Sequence, residues 1–220
     1  MLMAHLEQQL AALEQSGLRR RRRTVQLPCG PQQQLAGQAQ PRLSFCSNDY
    51  LGLAAHLLLA QALTEGGQRW GVGSGASHLV SGHYQVHEDV EQGFARWQQA
   101  HIPQAEGLLF CSGFMANMAL MMALGDGQTT IFSDKLNHAS LIDGARLSGC
   151  DHKRYPHADA EAAARQLAAH PEGAALLVSD GVFSMDGDLA PLHALAPVAR
   201  EHGATVYIDE AHAVGVLGDA

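Results

Sequence analysis

Apolar residues follow a helical spacing at the start of the chain and a strand–helix alternation from about residue 103 onward. Leu2, Leu6, Leu10 and Leu13 recur every three or four positions. That spacing predicts an amphipathic helix over residues 1–18, with Gly17 placed to end it. Residues 24–44, rich in Gln, Pro and Gly, read as irregular chain or a short hairpin. Ala105–Cys111 is a short apolar run and Phe114–Leu124 reads as a helix. Thr129–Ser133 reads as a strand, His138–Leu147 as a helix, His152–Tyr155 as a short strand and Ala158–Ala169 as a helix. Ala174–Ser179 and Thr205–Ile208 are apolar strands. Between them a helix starts at Pro191 and stops before Gly203. Strand and helix alternating with short links predict a parallel or mostly parallel sheet covered by helices on both faces. Ligands in such sheets bind beyond the carboxyl ends of the strands. Chemistry is therefore expected at Ser112-Gly113-Phe114, Asp134 to His138, Asp180 to Asp188, and Asp209-Glu210-Ala211-His212.

Composition narrows the classes. With 220 residues, 46% hydrophobic and 16% charged, the chain can bury a sizeable core. Its net charge of −8 with His neutral argues against nucleic acid or an anionic membrane as partner. No run of 18 apolar residues predicts a membrane span. His5, Glu7 and Glu14 do not fit a signal peptide, so the expected address is the cytoplasm. Cys29, Cys46, Cys111 and Cys150 are scattered, which predicts buried free thiols, with neither a disulfide framework nor a zinc site. Twelve of the 14 basic residues are Arg, so a mechanism that needs a lysine has only Lys135 and Lys153 to draw on.

Single motifs are weak signals. Asp209-Glu210-Ala211-His212 spells a helicase acidic box, but neither lysine stands in a phosphate loop of the required pattern. The plainer reading is a loop cap beside a surface His. Gly71-Val72-Gly73-Ser74-Gly75 has its third glycine misplaced for a dinucleotide loop and reads as a turn where backbone passes closely. His83 and His87 could share a helix face, yet Tyr84 stands where a zinc protease needs Glu; one His is expected to cap or pack, and no metal is expected. Ser112-Gly113-Phe114 offers free N–H groups to an anion. The Arg19–Arg23 run reads as a solvated helix end.

Taken together, the segments carry a resemblance. It rests on Ser47-Asn48-Asp49-Tyr50-Leu51-Gly52-Leu53, Gly71 to Gly75, Ser112 to Asn117, Asn137 to Gly144, Gly181 to Asp188, and Asp209 to His212, in that order and spacing. The chain resembles the α-oxoamine synthases, pyridoxal-phosphate enzymes of fold type I. The first motif and Phe183-Ser184-Met185-Asp186-Gly187-Asp188 most resemble the branch that serves biotin synthesis. Glycine-using siblings such as 2-amino-3-ketobutyrate coenzyme A ligase share much of both motifs. The resemblance implies an α/β fold with an α/β/α large domain and a mostly parallel sheet. Residues 1–45 would form an N-terminal helix and irregular arm, and residues 46–220 the first part of the cofactor-binding large domain.

The implied reaction is decarboxylative condensation of L-alanine with a pimeloyl thioester, carried by coenzyme A or acyl carrier protein, in a homodimer with pyridoxal 5'-phosphate as cofactor. Asp209 would pair with the cofactor's pyridine nitrogen, and His212 and Ser184 would reach its phenolic oxygen. His138 would lie over the ring and serve acid–base steps. Gly113 and Phe114 would hold the phosphate, Asn48 the amino-acid carboxylate, and Arg19 the acyl substrate. One departure stands out. The family's Schiff-base lysine lies two to three dozen residues beyond the Asp-x-x-His motif, past Ala220, and Lys135 and Lys153 stand in other motifs. The rest of the large domain and the small C-terminal domain are therefore expected to be missing, and a non-catalytic remnant is the alternative to an active enzyme.

Overall fold

The structure is a computed structural model that describes residues 1–218. Contacts divide the chain into two compact units, Met1–Val72 and a second beginning at Gly73.

In the first unit, helix α1 spans Leu2–Gln15. Gly17 ends it at φ +68°, a left-handed conformation open to glycine. The Gly17 N–H donates to the Glu14 carbonyl (3.1 Å) and the Leu18 N–H to that of Leu13 (2.9 Å), so two of the last carbonyls are satisfied. Strands β1 (Gln32–Gln33) and β2 (Arg42–Leu43) pair antiparallel, the short hairpin anticipated for residues 24–44. Helix α2 spans Leu57–Trp70, capped by His56 Nδ1, which accepts from the Leu58 N–H at 3.3 Å.

The second unit opens with a π-helical turn, His78–Gly82, and helix α3, Gln85–Gln98. Helix α4 (Gly113–Leu124) precedes β3 (Thr129–Asp134), α5 (Ala139–Leu147), β4 (Asp151–Tyr155), α6 (Ala160–Ala169), β5 (Ala174–Asp180), α7 (Leu192–Glu201) and β6 (Thr205–Asp209). The four strands form one parallel sheet in the order β4-β3-β5-β6. Ala105–Cys111 forms no strand, and Leu108 is exposed. A short apolar run becomes a strand only when it pairs with a neighbour, and this one pairs with neither outer edge of the sheet. This one is held instead by its Leu109 N–H, which donates to Glu91 Oε1 at 2.7 Å.

Successive residues of a strand point to opposite faces, and the core obeys that period. Ile131, Leu176 and Val178 face α4 and α5, packing with Met121, Leu141 and Ala145. Phe132 and Leu177 face α6 and α7, packing with Ala162, Ala163, Leu167, Leu195 and Ala199. Burying a large apolar side chain of this kind contributes about 1.5–3 kcal/mol. Gly144 lets α5 approach α4: a Cβ there would meet Met121 Cγ at 2.9 Å.

Three expectations are corrected. The cysteines are free, but Cys29, Cys46 and Cys111 are exposed and Cys150 only half-buried, because the first three sit in irregular segments that nothing covers. A Cβ on Gly71, Gly73 or Gly75 would meet nothing within 4 Å; positive φ at Gly71 and Gly75, not close passage of backbone, is what those two require. His83 and His87 share no helix face, since His83 precedes α3 and His87 lies in its first turn. His87 is the capping residue: its Nδ1 accepts from the Tyr84 N–H at 2.9 Å. No described helix is long and apolar enough to cross a membrane.

Candidate active site

Strands β3, β5 and β6 each end in an aspartate: Asp134, Asp180 and Asp209. Their carboxylates are held in three different ways. Asp134 is fully buried and accepts from the Leu136 and Ala158 N–H groups, both at 2.8 Å. It also bonds His157 Nδ1 at 3.0 Å, while His157 Nε2 reaches Asp188 Oδ2 at 2.7 Å. Burial alone would lower the His157 pKa; the hydrogen bonds from Asp134 and Asp188 outweigh it and raise the value. His157 thus ties the end of the Gly181–Asp188 loop to the end of β3.

Asp180 accepts the backbone N–H of His138 at 2.8 Å and donates its own N–H to Asn137 Oδ1 at 3.0 Å. Burial pushes its carboxyl up to about 6, with the Asp209 charge adding to the rise and the His138 N–H opposing it. These bonds place His138 as the N-cap of α5.

Asp209 ends a chain of hydrogen bonds whose direction is fixed throughout. The Tyr207 hydroxyl donates to Asn117 Oδ1 at 2.7 Å. Asn117 Nδ2 donates to Asp209 Oδ2 at 2.7 Å and to Ser140 Oγ at 2.8 Å. Ser140 Oγ stands 2.7 Å from His138 Nδ1, which also faces the Ser140 N–H at 3.3 Å. Because His138 Nδ1 accepts the Ser140 N–H, the Ser140 hydroxyl is the donor of the bond to that nitrogen. That nitrogen is then the acceptor and Nε2 carries the ring proton. The Ala211 N–H donates to the other carboxylate oxygen of Asp209 at 2.9 Å, so both oxygens are oriented. Burial pushes the Tyr207 hydroxyl up to about 12, and the Asp209 charge works in the same direction.

Asn117 lies one turn into α4, and the start of that helix faces an anion's needs. Ser112 Oγ accepts from the Met115 N–H at 3.2 Å. The amides of Gly113 and Phe114 open the helix, where partial positive charge collects. A Cβ on Gly113 would meet nothing within 4 Å, so no other side chain crowds this residue.

Ser184 sits exposed in the turn after β5, and His212 half-buried in the turn after β6, each beyond a strand that ends in an aspartate. Arg19 and Asn48 belong to the first unit. There Arg19 pairs with Glu14 at 3.0 Å, and Asn48 Oδ1 accepts from the Tyr50 hydroxyl at 3.4 Å. Lys153 lies on β4, bound to Asp151 at 2.8 Å. With the order β4-β3-β5-β6, it stands level with Val206 at three strand spacings, roughly 14 Å, and Asp209 lies three residues further along β6.

Residues 41–220 match the model of the aminotransferase class I and II family. The chain belongs to that family. Among its relatives, the 8-amino-7-oxononanoate synthases of Cupriavidus metallidurans and Leptothrix cholodnii are 52% and 51% identical over 100% and 99% of this chain. The chain spans about half the length of these relatives, 55% in both cases. Among solved structures, a serine palmitoyltransferase from S. paucimobilis with a bound PLP–myriocin aldimine superposes over 94% of this chain and 51% of its own, at 27% identity and a TM-score of 0.82. The 8-amino-7-oxononanoate synthase of Francisella tularensis covers 79% of this chain and 46% of its own, at 34% identity and a TM-score of 0.64. The parallel sheet with helices on both faces is shared with these aminotransferase-family proteins, of whose length this chain matches about half.

Three polar residues of the site lay within stretches marked by sequence but were assigned no role there: Asn117, Ser140 and Asp180. Asn117 left a trace, as a lone amide inside the apolar stretch Phe114–Leu124. Ser140 stood only as a member of the motif Asn137 to Gly144, and Asp180 as the head of the stretch Asp180 to Asp188.

Proposed function

We propose that this chain forms the cofactor-binding part of an 8-amino-7-oxononanoate synthase, which condenses L-alanine with a pimeloyl thioester, releasing CO2 and the free thiol carrier. The observation that carries the reading is the directed network Tyr207–Asn117–Asp209, branching through Ser140 to His138, one turn from the open amides of α4. The residues present fit pyridoxal phosphate: an oriented carboxylate for a pyridinium, an uncrowded glycine at a helix N-terminus for a phosphate, and a histidine with a defined tautomer. Pyridoxal phosphate, when bound, supplies an electron sink for a carbanion formed beside the amino group.

The chain's own residues supply the rest. Asp209 holds the pyridinium proton, and Asn117 and Ala211 fix the plane of its carboxylate. Gly113 and Phe114 bind the phosphate through backbone N–H groups. His138 covers the ring face and moves a proton at the substrate carbon, with Nδ1 anchored by Ser140 and Nε2 left to act. Ser184 and His212 hold the phenolic oxygen, Asn48 the amino-acid carboxylate, and Arg19 the acyl substrate. Pairing of two copies belongs to the same reading. No lysine within residues 1–220 occupies a matching motif, so turnover belongs to the full-length protein.

The test is the full-length protein given pimeloyl-coenzyme A with L-alanine or with glycine, following release of thiol and CO2. Turnover with L-alanine well above that with glycine is expected. A preference for glycine, or no thiol release with either, overturns the proposal.

A further inference from the structure

A second cluster, outside this site, has the donor set of a metal centre. His83 Nε2 lies 3.1 Å from Glu88 Oε2 and 3.8 Å from Glu91 Oε2, and the three candidate ligand atoms all fall within 4.8 Å of one another. Ligand atoms bound at about 2.0–2.2 Å to one cation stand roughly 3–3.5 Å apart, so only small side-chain shifts separate this arrangement from a coordination shell. Glu88 and Glu91 are three residues apart on α3, neighbours on one face.

The remaining atom of each ligand is already engaged. Glu88 Oε1 accepts from Gln92 Nε2 at 2.6 Å, Glu91 Oε1 from the Leu109 N–H at 2.7 Å, and His83 Nδ1 faces His78 Nδ1 at 2.8 Å. Metal ligands are oriented by outer partners of this kind. A groove of about 510 Å³, lined in part by Glu88, Glu91 and Gly107, leaves room for water on the open side. His87 is not a ligand, although it packs nearby. Its Nδ1 accepts the Tyr84 N–H, so the neutral ring carries its proton on Nε2 and has no second lone pair.

We propose that His83, Glu88 and Glu91 bind one divalent transition-metal cation of the zinc class, with His78 as the orienting partner. One imidazole and two carboxylates suit such an ion and offer no soft sulfur ligand. Without the cation, the His83 Nε2–H donates to Glu88, and Nδ1 accepts from His78. With it, Nε2 gives its lone pair to the metal, and His83 carries its proton on Nδ1, donating to His78. The site would pin the segment before α3 and, through Glu91 and Leu109, the stretch that leads into α4.

The test titrates the 220-residue chain with zinc chloride by calorimetry in a non-chelating buffer, with cobalt absorption as a spectroscopic probe. The expected result is one saturable ion per chain. The variants His83→Gln and Glu91→Gln should each weaken it about tenfold or more. His101→Gln, at an exposed histidine outside the cluster, should leave it unchanged. Nitrogen chemical shifts of His83 should move from the Nε2–H to the Nδ1–H tautomer on saturation. Glutamine at position 91 keeps an oxygen for the Leu109 N–H, and circular dichroism checks the fold of both variants. No saturable zinc site in the unaltered chain, or one indifferent to His83→Gln, overturns the proposal.

Discussion

The hydrogen-bond chain behind Asp209 predicts a graded series of losses in the full-length protein. Tyr207→Phe removes the outermost bond, a neutral one, worth about 0.5–1.5 kcal/mol net. At 1.4 kcal/mol per tenfold, turnover should fall roughly 2- to 12-fold. Asn117→Leu keeps the volume and removes the donor to a carboxylate, a bond worth about 1.5–3 kcal/mol, or roughly 12- to 140-fold. Asp209→Asn removes the charge that keeps the ring nitrogen protonated. Losing a preorganised electrostatic contact at a reacting group costs about 3–4 kcal/mol, or ~10²–10³ in rate. The assay is thiol release at saturating L-alanine, with circular dichroism confirming that each variant is folded. The order Tyr207→Phe, Asn117→Leu, Asp209→Asn is the essential result. Asn117→Leu within twofold of the unaltered protein, or Asp209→Asn milder than Tyr207→Phe, would refute the idea that the chain acts by orienting Asp209.

Other expectations follow from single sites. Asp180 has a carboxyl raised to about 6, so the folded state binds more protons than the unfolded state between about pH 4 and 6. Its contribution to stability is therefore greatest at the acid end and declines as pH rises through that window. Asp180→Asn, which keeps an acceptor for the His138 N–H, should raise the melting temperature at pH 7 more than at pH 4, and an equal shift at both would contradict this. Borohydride reduction of the 220-residue chain with pyridoxal phosphate should label no unique lysine in peptide maps; stoichiometric labelling at Lys135 or Lys153 would count against the assignment of their roles. A thiol reagent should modify Cys29, Cys46 and Cys111 quickly and Cys150 slowly, since only the last is half-buried; equal rates at all four would show that the cover over Cys150 is not stable.

The alternating half of the chain was legible because its periodicity and its punctuation agree. The Thr129, Asp151, Ala174 and Thr205 strands lie within a residue or so of the segments read from sequence, and Gly17 and Gly203 fall just past helix ends. Helix α2 was not read, since Leu57-Leu58-Leu59 followed by Gly66-Gly67 has no clean helical stripe. Ala105–Cys111 shows the converse: an apolar run that stays irregular although the outer edges of β4 and β6 are unpaired. At the site, residue types at strand ends pointed to Asp209 and His138. What links them, Asn117 and Ser140, is a matter of which helix faces which strand, and sequence spacing carries no record of that. The histidines around α3 illustrate the same limit. His83 and His87 invited a shared face by their spacing of four, yet one closes a helix cap and the other turns toward Glu88 and Glu91.

The three aspartates also guard the register of the sheet as it forms. Asp180 pairs with Asp209 across β5 and β6, and Ser133, just before Asp134, pairs with Val178 across β3 and β5. A slip of one residue in β5 would exchange Leu176 and Val178 with Leu177, turning each core face toward the wrong pair of helices. The same slip would carry Asp180 away from the His138 amide and leave a buried carboxylate without its donor, an error costing several kcal/mol on its own. A mispaired sheet therefore cannot present an intact acidic edge, and a chain that reaches that edge has already passed its own folding check.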